Sequence, residues 1–162
     1  MEGKIVKFFS SAFDSDGEIL RFIYFSRVAR DISREDLKRV LEASQRNNRI
    51  AGLTGALCFD NRYFFQVLEG RRAAVNGTIS RIITDPCHSD INIMLAEPIS
   101  ALQFGAWQMA YVGSDKLSTA ILEKYCGDRV FRPDKMTSWH ARAFAMEFLA
   151  GVVAKNVPMV SA

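Results

Sequence analysis

Six polar or polarisable side chains sit in or beside runs that are otherwise apolar. They are Tyr24 in ILRFIYFS, Asn47 and Asn48 after a helical pattern, Gln66 in FFQVLEG, and Trp107 and Met109 in FGAWQMAYV. None is a strong nucleophile or base. A phenol, amides, an indole and a thioether donate, accept and exchange hydrogen bonds rather than attack covalent ones. Gln66 is the most telling. Its run is rich in aromatic and branched residues and too short for an ordinary helix, so it reads as a buried strand. A buried amide has about four hydrogen-bonding positions, and leaving one unpaired costs roughly 1–3 kcal/mol. Gln66 therefore needs a partner, protein or ligand, and the run then closes on Glu69-Gly70.

Taken singly, each of these residues has an ordinary structural role. A buried tyrosine is usually core with a satisfied hydroxyl, a Trp-x-Met pair is usually core, and an asparagine pair at a helix end is usually a cap. Their joint placement is harder to dismiss. The familiar catalytic signatures are missing: no GxGxxG follows the first strand, and there is no Walker A, HExxH or GxSxG sequence. His88 and His140 lie far apart, so no nucleophile, base and orienting group announce themselves. Cys58, Cys87 and Cys126 have no CxxC spacing and read as small reduced hydrophobes rather than disulfide or zinc ligands. The expectation is a protein that is not an enzyme and holds no metal.

The elements that must position these residues follow from periodicity. ILRFIYFS is a strand with Leu20, Phe22 and Tyr24 on one face and Ile23 and Phe25 on the other, hence central. Ser33 and Asp36 form a capping box for a helix over about 34–46, ended by Asn47-Asn48. GLTGALCF is a strand over about 52–59, joined through Asp60-Asn61 in a hairpin to the Gln66 strand, which Gly70 breaks. A second helix over about 72–84 buries Val75, Ile79, Ile82 and Ile83. INIMLAEPI is the fourth strand and FGAWQMAYV the fifth, carrying Trp107 and Met109. Ser114 caps a helix with Leu117, Ile121 and Leu122 that stops at Gly127. Ser138 starts another, with a stripe of Ala141, Phe144, Ala145, Phe148, Leu149 and Val152.

The order β-α-β-β-α-β-β predicts an α+β fold, a ferredoxin-like βαββαβ with an additional fifth strand. Two helices cover one sheet face. Ile23, Phe25, Tyr63, Phe65 and Val67 make the other face apolar, and the two C-terminal helices are expected to cover it. In this order the first and third strands are central neighbours, which sets Tyr24 beside Gln66. The expected organisation is an N-terminal extension (1–18), a domain (19–112), a C-terminal helical segment (113–155) and a tail (156–162).

At 162 residues, 49% hydrophobic and 24% charged, the chain is long enough for a two-layer core and does not read as disordered. A net charge of +3 with scattered basic residues argues against nucleic acid. No apolar run approaches the ~18 residues of a membrane span, and KIVKFFSSAF is not a secretory signal, so a cytoplasmic location is expected.

Four blocks stand in one order at compatible spacings: FIYFS around Tyr24, SQRNN ahead of GLTGAL, FFQVLEG, and FGAWQM. By them the chain resembles the BLUF family, flavin-binding sensors of blue light, over about residues 20–112. It shows no departure at Tyr24, Asn48, Gln66, Trp107 or Met109. The resemblance implies a noncovalent flavin, FAD or FMN in its place, between the two helices on the covered face. Asn48 would hold the polar edge of the ring with Asn47 beside it, and Gln66 would bridge Tyr24 and the ring. Arg81, Asp85 and His88 would approach the ribityl or phosphate part, Arg81 being the best phosphate partner. Tyr24 would give an electron and a proton to the excited flavin, and the Gln66 hydrogen bonds would rearrange and red-shift it. Trp107 or Met109 would pass the change to residues 114–155. Output would go through a downstream signalling protein or a change of homo-oligomer, since the chain leaves no room for an effector domain.

Rival readings on the same fold are a flavin-free interaction or ligand-binding module, an acylphosphatase-like enzyme using Arg27 and Arg30 in the loop SRVARDIS, and RNA binding through sheet aromatics.

Overall fold

The structure, a computed structural model, describes residues 17–155. Most of the expected N-terminal extension and the whole expected tail lie outside the described residues.

Five strands form one mixed sheet in the order β4-β1-β3-β2-β5. They are β1 (Ile19–Val28), β2 (Thr54–Phe59), β3 (Tyr63–Arg71), β4 (His88–Ile99) and β5 (Ala110–Gly113). The β1–β3, β1–β4 and β2–β3 pairs are antiparallel, and β5 lies parallel to β2. This is the expected ferredoxin-like order, with β1 and β3 central and the extra strand beside β2.

Alternation along each strand builds two cores. Leu20, Phe22, Tyr24, Leu57, Phe59, Phe64 and Leu68 face helices α1 (Arg34–Ala51) and α2 (Arg72–Thr84). Ile23, Phe25, Ala56, Cys58, Tyr63, Phe65 and Val67 face the C-terminal helices. Those are α3 (Thr119–Cys126), α4 (Ser138–Ala143) and α5 (Ala150–Lys155), with a π-helical turn, Phe144–Leu149, joining the last two into one helical run. The apolar back of the sheet is thus covered as the pattern required.

Several boundaries differ from expectation. The Ser33–Asp36 capping box starts α1 as expected, but the helix runs to Ala51 and closes on Gly52 at φ 69°. Glycine adopts the left-handed region without a Cβ clash, so the helix runs on through Asn47 and Asn48 and stops at the glycine. β3 continues through Gly70 to Arg71, and α2 follows without a loop. Ile83 is 43% exposed rather than buried. It lies about 80° around the helix from Val75, at the margin of the apolar face.

The fifth strand is far shorter than FGAWQMAYV. Residues 100–109 are irregular because other groups satisfy their backbone. Glu69 Oε2 accepts from the Gln103 and Phe104 N–H groups, Trp107 N donates to Phe104 O, and Gly55 N donates to Trp107 O. The apolar composition reflects burial, with Phe104 a plug in the C-terminal core, and not a ladder.

Ser118, not Ser114, caps α3, which ends at Gly127 as expected, while 114–116 form a single 3-10 turn. The C-terminal stripe shifts by one position. In the π-helical turn Ala150 N donates five residues back to Ala145 O. The wider turn brings Ala150 and Val153 fully inward, while Phe148 and Val152 stay packed against the same core, partly buried.

Candidate functional site

A cleft of about 320 Å³ opens between α1 and α2 above β1 and β3. Its walls are apolar at Val40, Leu57, Phe64 and Ile82, and its polar lining includes Tyr24, Asn47, Asn48, Gln66, Arg81, Asp85 and His88. Of the nine residues singled out from the sequence, these seven meet in one place. Met109 stands against the cleft's Gln66, and Trp107 does not join them.

Tyr24 and Gln66 are direct cross-strand partners in the β1–β3 register, so their side chains rise together on the helix-covered face. The Tyr24 hydroxyl donates to Gln66 Oε1. Burial pushes the Tyr24 phenol well above its ordinary range, with the Asp85 carboxylate adding to the shift. It is therefore a neutral donor. The other end of the amide, Nε2, points at Met109 Sδ at 3.5 Å.

Met109 is 2% exposed and packs in the core beneath α1 and α2, while Trp107 is half-buried against the C-terminal core. Two residues apart in a strand they would share a face. The irregular backbone before β5 sends them to opposite sides of the sheet. Two side chains of α1 hold this segment: Asn48 Nδ2 donates to Gln108 O at 2.7 Å and Gln45 Nε2 to Met109 O at 3.1 Å. Asn48 is 2% exposed, so its amide is committed to the fold as well as to the cleft. Asn47, one position earlier, is exposed and lines the opening.

At the other end Arg81 is exposed and donates to Thr78 Oγ1 at 3.0 Å. Asp85 terminates α2 and His88 begins β4, so these three do not share a helix face. A turn in which His88 N donates to Asp85 O (3.2 Å) brings them together instead. The His88 ring lies 4.5 Å from the Phe64 ring, its Nδ1 is 2.6 Å from Ser26 Oγ, and burial lowers its pKa.

Sequence reasoning missed Gln45, Ser44, Thr78 and Ser26. The spacing of Ser44, Gln45, Asn47 and Asn48 by one to four placed them around one helix end, but which strand or segment they met was not readable. The rival uses of the fold meet contrary geometry. Arg27 pairs with Asp90 at 3.5 Å and Arg30 donates to Cys87 Sγ at 3.4 Å, so neither is gathered into a phosphate cradle. Tyr63 and Phe65, the sheet aromatics RNA would need, are buried beneath the C-terminal helices.

A neutral phenol and an amide at the cleft floor, with a thioether in the core against the amide, form an uncharged hydrogen-bonding line. Such a line can rearrange its hydrogen bonds.

Residues 19–110 match the family described as BLUF, sensors of blue-light using FAD. The chain is 30% identical over 105 residues to photoactivated adenylate cyclase subunit beta of Euglena longa, covering 64% of this chain and 12% of that protein. It is 31% identical over 83 residues to the blue light- and temperature-regulated antirepressor BluF of Escherichia coli K12, covering 51% of this chain and 21% of that one. The chain thus spans a small part of the relatives it matches. Among solved structures, BlrB, a BLUF protein in its dark state, superposes with a TM-score of 0.64 at 26% identity, covering 88% of this chain and all of that one.

Proposed function

The chain belongs to the BLUF family of blue-light sensors that use FAD, and from that premise we propose that residues 19–112 bind FAD noncovalently in the α1–α2 cleft and switch on illumination. The observation that carries the reading is the Tyr24–Gln66 pair at the floor of that cleft, with Met109 against the far end of the amide.

The residues present suit a flavin. The apolar walls accept a flat aromatic head, the amides of Asn47, Asn48 and Gln66 suit its polar edge, and the Arg81 guanidinium suits a phosphate. The ring contacts would serve FMN equally, and Arg81 at the mouth is the group that would meet the longer tail of FAD. Bound flavin supplies the absorption of blue light and, once excited, a strong oxidant.

Tyr24 is the donor of an electron and a proton. Its phenol cannot persist as a charged group in so dry a site, so the two must leave together, the proton along the hydrogen bond to Gln66. Both return to Tyr24, and nothing is consumed. Gln66 keeps the memory: turned end for end or tautomerised, its amide exchanges the bonds it offers. With flavin bound, the rearranged Gln66 amide would donate toward the ring, and this added hydrogen bond would red-shift the absorption until the amide reverts thermally. Differences of a few kcal/mol suffice to bias such a two-state element. Residues 113–155 are the output segment, and the signal reaches a partner protein or a second copy of the chain through them.

The test is the absorption spectrum of the purified protein before and after blue illumination. Wild type is expected to be yellow and to red-shift reversibly, and Gln66→Leu to keep its flavin and lose the shift. A reversible shift in Gln66→Leu would overturn the mechanism, and a colourless wild type would favour a flavin-free interaction module.

A further inference from the structure

Glu69, the acidic residue that closes FFQVLEG, takes no part in the cleft. It stands on β3 three residues after Gln66 and faces the opposite side of the sheet, 0% exposed. A carboxylate so placed is costly unless every lone pair is used. Here each oxygen is engaged. Oε1 accepts from Arg21 Nε at 2.9 Å, and Oε2 accepts from two backbone N–H groups, Gln103 at 2.7 Å and Phe104 at 3.0 Å. Arg21, directly across from Glu69 on β1, also donates to Glu97 on β4 at 2.8 Å.

The two backbone donors open the stretch 103–109, the part of the irregular segment that leads to Met109. A turn from Phe104 O to Trp107 N, and the bond from Gly55 N to Trp107 O, make its middle stiff. Gln45 and Asn48 of α1 hold its far end. The segment is therefore anchored at both ends, by amides on the cleft side and by a buried carboxylate on the other.

We propose that Glu69 is a positioning residue for the photoswitch: by fixing the Gln103 and Phe104 amides it sets where Met109 Sδ meets the Gln66 amide, and so how long the switched state lasts. The inference rests on the light-sensor reading above. It goes beyond that reading by assigning a function to a side chain that touches neither the cleft nor its ligand. Loosening the first anchor frees Met109 and lets Gln66 revert more readily.

The substitution Glu69→Gln tests it. All the groups around Glu69 are donors, and an amide can accept at only one end, so either Arg21 or the two backbone N–H groups lose their acceptor. The variant is expected to bind flavin and to red-shift, but to return to the dark state about three- to tenfold faster, the lower part of the range that coupling between neighbouring groups produces. In a Met109→Ala background the same substitution is expected to change the return rate little, because Glu69 acts through Met109. Recovery at the wild-type rate, or equal acceleration in both backgrounds, would overturn the proposal, the latter showing only general loosening. If Glu69→Gln yields no folded protein, Gln103→Pro removes the shorter of the two donors and leaves the carboxylate. Faster recovery then supports the proposal and an unchanged rate overturns it. Where wild type shifts and the variants match it, this inference alone fails. Where wild type does not shift, the sensor reading and this one fall together.

Discussion

Tyr24, Gln66 and Met109 are joined without a single charge, and that neutrality follows from where they lie. Each is buried among Phe22, Leu57, Phe64 and their neighbours, where an unpaired ion would be far costlier than in water. The raised pKa of Tyr24 expresses the same penalty. His88 shows it in the opposite sense. Packed on Phe64 and beside Ser26, it is held below its ordinary value of 6.5 by burial, with the Asp85 carboxylate pulling the other way. The unfolded chain then takes up a proton at a higher pH than the folded one. The stability His88 contributes is complete above the unfolded value and is lost as pH falls toward the lower folded value. Between about pH 7 and pH 5 wild type should lose more Tm than His88→Gln, because only the former carries this linkage. Equal losses in thermal melts would exclude it. At this scale Gln66 was legible, since an amide in an apolar run demands a partner. The choice of Met109 over Trp107 was not, because two residues at strand spacing would share a face and only the irregular backbone separates them.

Elements were read well where one period holds throughout and poorly where backbone groups find unexpected partners. α2 spans the residues its periodicity predicted, and the two faces of β1 and β3 alternate as written. The fifth strand was overdrawn because a carboxylate on β3, invisible to any local pattern, satisfies amides that would otherwise need a ladder. The π-helical turn moved the C-terminal stripe because a single five-residue bond resets the period downstream. Gly55 shows another such non-local demand. A Cβ there would stand 2.0 Å from the Val67 carbonyl oxygen, a backbone atom that cannot rotate away. Val67 adjoins Gln66, so the strain falls on the strand that carries the switch. Gly55→Ala is expected to cost about 1–3 kcal/mol as an overpacking change. A lower urea midpoint would show it, and an unchanged midpoint would mean that β2 and β3 separate freely at this point.

The whole molecule is a sheet with two cores back to back, and β3 serves both. Gln66 looks into the cleft, while Phe65 and Val67 on either side look into the C-terminal helices. Phe144 is the hub of that second core, with ring centroids 5.1 Å from Phe65, 5.5 Å from Tyr125, 5.9 Å from Phe131 and 5.2 Å from Phe148. Phe144→Ala should cost about 3–5 kcal/mol, as the loss of a buried aromatic does. Below its lowered melting point the variant should keep the flavin spectrum of wild type, since the cavity opens on the far side of the sheet. A disturbed spectrum would mean that the two cores are not independent. Legible in the chain alone were the alternating faces of β1 and β3, the order of the elements and the need of Gln66 for a partner, because these depend on periodicity and on the local cost of an unpaired group. It took the folded arrangement to show that Met109 and not Trp107 meets the amide, that His88 enters the cleft from β4, and that Glu69 holds the segment between. Those contacts join groups tens of residues apart, and each depends on backbone hydrogen bonds that no neighbouring residue dictates.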